Sequence, residues 1–231
     1  MFGTCIPPQP ACTPIATAPG QLTVPIVDNP PVVDGDLTDW TTCFITDDPS
    51  TAGLVRDLGA DGMFASGQFS VTADAGHLYV GAYVHSVPPL GDALPPMVYL
   101  NNSVSVYVDG DGVSTTASYD DNAAQIVVDH ANQQSAFRSG QVVTVPDVVS
   151  AAVTGSATFT IEMSITPATL GLTAFPSVVG FDIGLVGGDG TVMTSELVWY
   201  QACARPECGC AGSDTAPYCD AREFGSVVLS P

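Results

Sequence analysis

The chain has 231 residues and a formal net charge of −20, with 24 acidic residues, four arginines and no lysine. Without a basic stripe to replace phosphate counterions, it is a poor partner for nucleic acid or for an anionic membrane. Disorder is disfavoured too, because 45% of the residues are hydrophobic and only 12% charged, enough for a single domain to bury a core.

Abundant Val, Thr, Gly and Pro with few Glu favour strands and turns over long helices. Twenty of the acidic residues are aspartates, and they recur in DG turns at Asp34-Gly35, Asp61-Gly62, Asp109-Gly110-Asp111-Gly112 and Asp189-Gly190. Hard carboxylate oxygens converging on tight turns suit Ca²⁺.

In chain order, residues 1–22 are rich in Pro and Cys and carry no periodic apolar face, so they read as an extended lead before a domain spanning 23–231. A Cys5–Cys12 loop is one way of pinning that lead. PPVVDGDLTDW at 30–40 sets a DG turn before Trp40, and Asp34, Asp36 and Asp39 either point at a cation or cap backbone turns. Residues 68–72 and 77–85 alternate polar and apolar positions around an Ala73–Gly76 turn, as antiparallel strands do.

After a Pro-rich stretch at 87–97, residues 103–109 give the clearest strand, with Val104, Val106 and Val108 facing one way. The DGDG run beyond it, followed by Asp120 and Asp121, is either a further cation site or a solvated hairpin end. Further strands are expected at 124–129, 140–145 and 157–165, the last burying Phe159, Ile161, Met163 and Ile165. Pro167 suits the start of a turn or very short helix, and strands resume at 178–186, 195–200 and 224–229. About ten short strands with turn-rich connections predict an all-β fold, a two-sheet antiparallel β-sandwich of jelly-roll type.

Seven cysteines, at 5, 12, 43, 203, 208, 210 and 219, suggest an oxidising compartment and two or three disulfides, with one thiol left over. Disulfide candidates are Cys5, Cys12, Cys203, Cys208, Cys210 and Cys219, the last four inside a Cys-rich insertion at 201–222. That insertion lacks the paired CxxC elements of a zinc site. The expected location is secreted or cell-surface, with any leader removed before residue 1, and no apolar run is long enough to cross a membrane as a helix.

The ordered set VVDGDLTDW, AGHLYVGAYV, NNSVSVYVDGDG, DDNAAQIVVD, TFTIEMSI, VGFDIGLVGGDG, ELVWY and FGSVVL resembles the family 9 carbohydrate-binding modules over roughly residues 24–231. The resemblance implies a β-sandwich holding a mono- or oligosaccharide in a cleft between aromatic side chains, often with structural Ca²⁺. It carries one wall onto Trp199 and the other onto Tyr99, followed by Asn101 and Asn102 where family members often have an acid. Candidate calcium ligands are Asp34, Asp36, Asp182 and Asp189, with Asp109 and Asp111 as a further pair. No segment fits a complete EF-hand loop.

Catalysis is not expected. A glycosidase needs two carboxylates flanking one bond, and nothing in the sequence ties Glu162 to Glu196. His77, His85 and His130 have no evident nucleophile, GxSxG and HExxH are absent, and haem ligation by a Met such as Met63 or Met97 lacks a CxxCH attachment. The rival class is a structural or cell-surface assembly protein, homo-oligomeric or cross-linked through the odd cysteine, built on the same sandwich without sugar affinity.

Overall fold

The computed structural model describes residues 12–47, 54–57, 65–85, 90–112, 119–138, 141–144, 147–200 and 224–231. Among these, the regular elements are strands and three short 3-10 turns, with no α-helix. The strands are β1 (Ala16–Ala18), β2 (Gln21–Pro25), β3 (Ile45–Asp47), β4 (Leu54–Asp57), β5 (Ser66–Ala73), β6 (Leu78–His85), β7 (Ser103–Asp109) and β8 (Ala123–Asp129). They continue with β9 (Gln134–Arg138), β10 (Gln141–Val143), β11 (Val148–Thr154), β12 (Thr158–Ile165), β13 (Val178–Gly188), β14 (Met193–Val198) and β15 (Gly225–Ser230).

Two sheets result. The larger runs β1-β2-β15-β13-β7-β8-β9-β10, and the smaller runs β11-β12-β6-β5-β3. β13 is long enough to serve two partners along one edge, β15 against residues 178–181 and β14 against residues 184–188, with β4 beyond β14. Pairing is antiparallel except where β15 runs parallel to β2, which joins the two ends of the described chain in one sheet.

The alternation expected from sequence builds the core between the sheets. Val104, Val106 and Val108 of β7, Ala124, Ile126 and Val128 of β8, and Phe181, Ile183 and Leu185 of β13 form one wall of a single cluster. Phe69 and Val71 of β5, Leu78, Val80 and Val84 of β6, and Phe159, Ile161, Met163 and Ile165 of β12 form the other. The large sheet departs from simple alternation on its outer face, because every residue of β7 and β8 is buried. There Tyr107, Tyr119, Ala123 and Phe224 make a second small cluster, so part of that face is covered rather than wet.

The N-terminal stretch is more integrated than an extended lead would be. Residues 16–18 pair with β2, Ile15 reaches the core, and Thr13 bridges to Thr42. Cys12 is bonded to Cys43 across a separation of 31 residues. This corrects the expected Cys5–Cys12 loop and gives Cys43 a partner; Cys5, Cys203, Cys208, Cys210 and Cys219 lie outside the described residues. Closing a loop of that length restricts the unfolded chain by about 3–4 kcal/mol.

The DGDLTDW segment is resolved as a set of backbone caps. Asp34 Oδ1 accepts from the Asp36 N–H at 2.9 Å, Asp36 Oδ1 from the Thr38 N–H at 3.0 Å, and Asp39 Oδ2 from the Val32 N–H at 2.7 Å. The turn is clamped to the outer face of the small sheet by buried Glu162. Its carboxylate accepts from the N–H groups of Asp34 and Gly35 at 3.0 and 2.6 Å and from Trp40 Nε1 at 2.5 Å. Burial raises the Glu162 carboxyl above its ordinary range despite those donors. Gly81, opposite Glu162 in the register, leaves room for the indole, since a Cβ there would sit 2.7 Å from the Trp40 ring.

Candidate functional site

A cavity of about 270 Å³ opens on the outer face of the large sheet, beside the covered patch, lined by Tyr99, Ser105, Gln125, Phe137, Val186, Met193 and Glu196. Each lining residue comes from a strand position facing away from the core, apart from Tyr99, which stands on the 3-10 turn Val98–Leu100. Tyr99 and Phe137 meet edge to face with centroids 5.7 Å apart, and Tyr99 Oη donates to Met97 Sδ at 3.3 Å. An apolar rim with a few polar groups beneath is the usual composition of a small-molecule site.

The polar floor is a hydrogen-bonded row. Gln125 Nε2 donates to Ser105 Oγ at 3.3 Å and lies 3.5 Å from Tyr107 Oη, which donates to Glu196 Oε1 at 3.1 Å. Burial, followed by the charge of Glu196, pushes the Tyr107 phenol well above its ordinary range. Tyr107 therefore stays protonated and keeps Glu196 as an acceptor aimed at the floor. Ser105, Gln125 and Glu196 together offer donors and acceptors to a polyhydroxylated ligand.

Asn101 and Asn102 serve the site from behind. Both are fully buried. Asn101 Nδ2 donates to Asp129 Oδ2 at 2.7 Å and to the Ala93 carbonyl at 2.9 Å, while its Oδ1 accepts from the Ala93 N–H at 2.8 Å. Asn102 Nδ2 donates to the Gly188 carbonyl at 2.8 Å. These bonds fix the segment that presents Tyr99, and a Cβ on Gly188 would run into the Leu100 carbonyl. The asparagines are thus positioned to hold the loop, not to reach into the cavity.

Trp199 is placed elsewhere. Its indole packs on the core against Phe69 and Phe181, with centroids 6.1 and 6.4 Å away, and a Cβ on Gly225 would approach it to 2.8 Å. It does not line the Tyr99 cavity, whose remaining apolar lining is Phe137, Val186 and Met193. Those residues, with Ser105 and Gln125, were not singled out from sequence. Their only signal is an outward register on strands whose pairing the sequence does not give. Glu196 and Glu162 stand on opposite faces of the sandwich, each held by its own partners.

The expected calcium ligands separate clearly. Asp34 and Asp36 cap turns, and half-buried Asp189 accepts through Oδ1 from Thr191 N–H, Thr191 Oγ1 and Val192 N–H at 2.8, 2.6 and 2.9 Å. Those hydrogen bonds lower the Asp189 carboxyl below its ordinary value. Asp182 is fully buried, with Oδ1 accepting from the N–H groups of Ile183 and Tyr200, and desolvation pushes its carboxyl well up. Among the described residues, the one group of three acids close enough to share an ion is Asp109, Asp111 and Asp120, whose ligand atoms lie within 4.8 Å of one another.

Comparison with known proteins agrees with this architecture. A family 9 carbohydrate-binding module from Caldicellulosiruptor kristjanssonii in complex with cellotriose superposes with a TM-score of 0.67 at 15% identity, over 90% of this chain and 93% of that one. A module of the same family and organism in complex with glucose gives 0.65 at 15% identity, over 90% and 95%. No curated protein matches the sequence. A family model described as carbohydrate family 9 binding domain-like matches residues 48–231, and the chain belongs to that family.

Proposed function

We propose that the chain is a non-catalytic carbohydrate-binding module whose sugar site is the cavity beneath Tyr99. The observation carrying this reading is the cavity itself, an apolar rim of Tyr99, Phe137 and Met193 over a floor of Ser105, Gln125 and Glu196. A pyranose presents an apolar C–H face and an equatorial belt of hydroxyls, so it needs both kinds of surface at once. The solved neighbours bound to cellotriose and glucose support a β-glucan or its end residue as the ligand class. The Cys12–Cys43 bond supports work in an oxidising, extracellular setting.

Titration calorimetry with glucose, cellobiose and cellotriose tests the reading, with Tyr99→Ala and Gln125→Ala alongside the parent chain. Saturable heat that weakens about tenfold or more in Tyr99→Ala, near 1.4 kcal/mol, is expected. A folded parent chain giving no heat with any of the three sugars would overturn it.

A further inference from the structure

The Tyr99 cavity depends on a residue that does not line it. We infer that Asp129, at the end of β8, is a positioning residue that sets the Tyr99 wall by seating residues 90–102, the segment that carries it. The inference rests on the reading of that cavity as the sugar site. The ring of Tyr99 meets Phe137 edge to face, and its hydroxyl bonds Met97 of the same segment. Its placement therefore comes from how the backbone on either side is held.

Asp129 is fully buried, and each of its oxygens meets two donors. Oδ1 accepts from the N–H groups of Ala131 and Gln133 at 3.0 and 2.8 Å, which shapes the turn between β8 and β9. Oδ2 accepts from Asn101 Nδ2 at 2.7 Å and from Gln133 Nε2 at 3.2 Å. One oxygen builds the turn while the other reaches across to the segment.

Asn101 has no freedom to turn away. Its Oδ1 faces the Ala93 N–H at 2.8 Å and its Nδ2 the Ala93 carbonyl at 2.9 Å, so the backbone dictates which end of the amide is which. The remaining amide hydrogen needs an acceptor, and the carboxylate supplies it. The same turn grips the segment at two further points. The His130 N–H donates to the Asn102 carbonyl at 3.0 Å, and His130 Nε2 meets the Gly91 carbonyl at 3.0 Å. Gly91 has a φ of 85°, and a Cβ there would lie 2.5 Å from Asn101 Oδ1, so only bare backbone lets the segment close over the amide.

A wall held in this way loses affinity when its support is loosened, because the ligand must then order the segment as it binds. Charge type at position 129 decides the outcome, since Asn has nearly the same size. In Asp129→Asn either orientation of the new amide turns an NH₂ toward donors, at Asn101 Nδ2 or at the Ala131 and Gln133 N–H groups.

The test applies calorimetry with glucose and cellotriose to the full chain, Asp129→Asn, Tyr99→Ala and the double variant, with hydrogen exchange of the same proteins in the absence of sugar. Asp129→Asn should weaken both sugars at least about fivefold, whereas the same change in the Tyr99→Ala background should cost less than about twofold, because residues acting through one another do not add. Exchange at residues 90–102 should quicken at least about tenfold in Asp129→Asn while β6 and β12 keep their protection. Gly91→Ala, which presses on Asn101 from the segment side and leaves β8 untouched, should give the same pattern and serves should Asp129→Asn not fold. Additive affinity losses, unchanged affinity, or protection lost across both sheets would overturn the assignment, the first and last being what a merely stabilising residue gives. A folded parent chain that binds neither sugar would sink the cavity reading instead, and exchange at 90–102 would still decide whether Asp129 seats the segment.

Discussion

Tyr99 and Trp199, the two aromatic walls the family resemblance implies, divide once the chain is folded. Trp199, only partly buried, packs against Phe69, Phe181 and Gly225 and stands away from the Tyr99 cavity. With the binding surface at the Tyr99 cavity, Trp199→Ala should cost up to about 3 kcal/mol of folding stability, less than a fully buried tryptophan, read from urea unfolding, and leave sugar affinity of the folded fraction within about threefold. Tyr99→Ala should do the reverse, since its ring touches Phe137 over an open cavity and its loop is held by Asn101 instead. A large affinity loss in a fully stable Trp199→Ala protein would move the binding surface away from the cavity. The sequence supplied both candidates, but choosing between them needs the register of β14 against β13, which depends on pairing between distant residues. The same limit hid Gln125 and Phe137, which are ordinary strand residues until β7, β8 and β9 lie side by side.

Strands were legible where one face alone is apolar, and less so where both are buried. The alternation at 103–109 and 157–165 locates β7 and β12, and the turn expected at Ala73–Gly76 falls one residue later, at 74–77, with Ala73 closing β5. β1 was missed because Ala16–Ala18 is wholly exposed and is a strand only through its pairing with β2, which in turn needs β15 at the other end of the chain. The β5–β6 turn carries its own electrostatic lock. Asp74 Oδ1 accepts from the N–H groups of Gly76 and His77 at 2.6 and 2.7 Å, and Tyr79 Oη donates to Oδ2 at 2.8 Å. Desolvation works to raise this carboxyl, but the combined hydrogen bonds lower it below its ordinary value of 3.8. A carboxylate depressed in the folded state stabilises above its unfolded pKa, and that contribution disappears as pH falls through the folded one. The stability gap between the parent chain and Asp74→Asn should therefore be about 1–3 kcal/mol at pH 6 and shrink as pH drops below about 4. Urea unfolding across that range measures it, and a gap that widens on acidification would refute the lock.

For the whole molecule, a net charge of −20 in a chain without lysine means that compaction brings like charges together with few opposite ones to relieve them. Self-repulsion of this kind destabilises the folded state more than the expanded one. Salt normally also weakens favourable ion pairs, but the Arg138–Asp121 contact is long and exposed, at 3.9 Å with the Asp121 side chain fully accessible, so little is lost by screening it. The balance should fall on the side of repulsion. Raising NaCl from 0.01 to 0.5 M shortens the screening length from about 30 Å to below 10 Å, which reaches between neighbouring surface aspartates. Tm measured in chelator should rise by several degrees over that range. Calcium held at a specific site should raise it further at micromolar to millimolar levels, where ionic strength barely changes, because site binding acts by mass action rather than screening. A Tm that falls with NaCl would mean that specific ion pairs outweigh the net charge. Equal effects of calcium and sodium at matched ionic strength would mean that charge density, and not specific cation binding, governs the response.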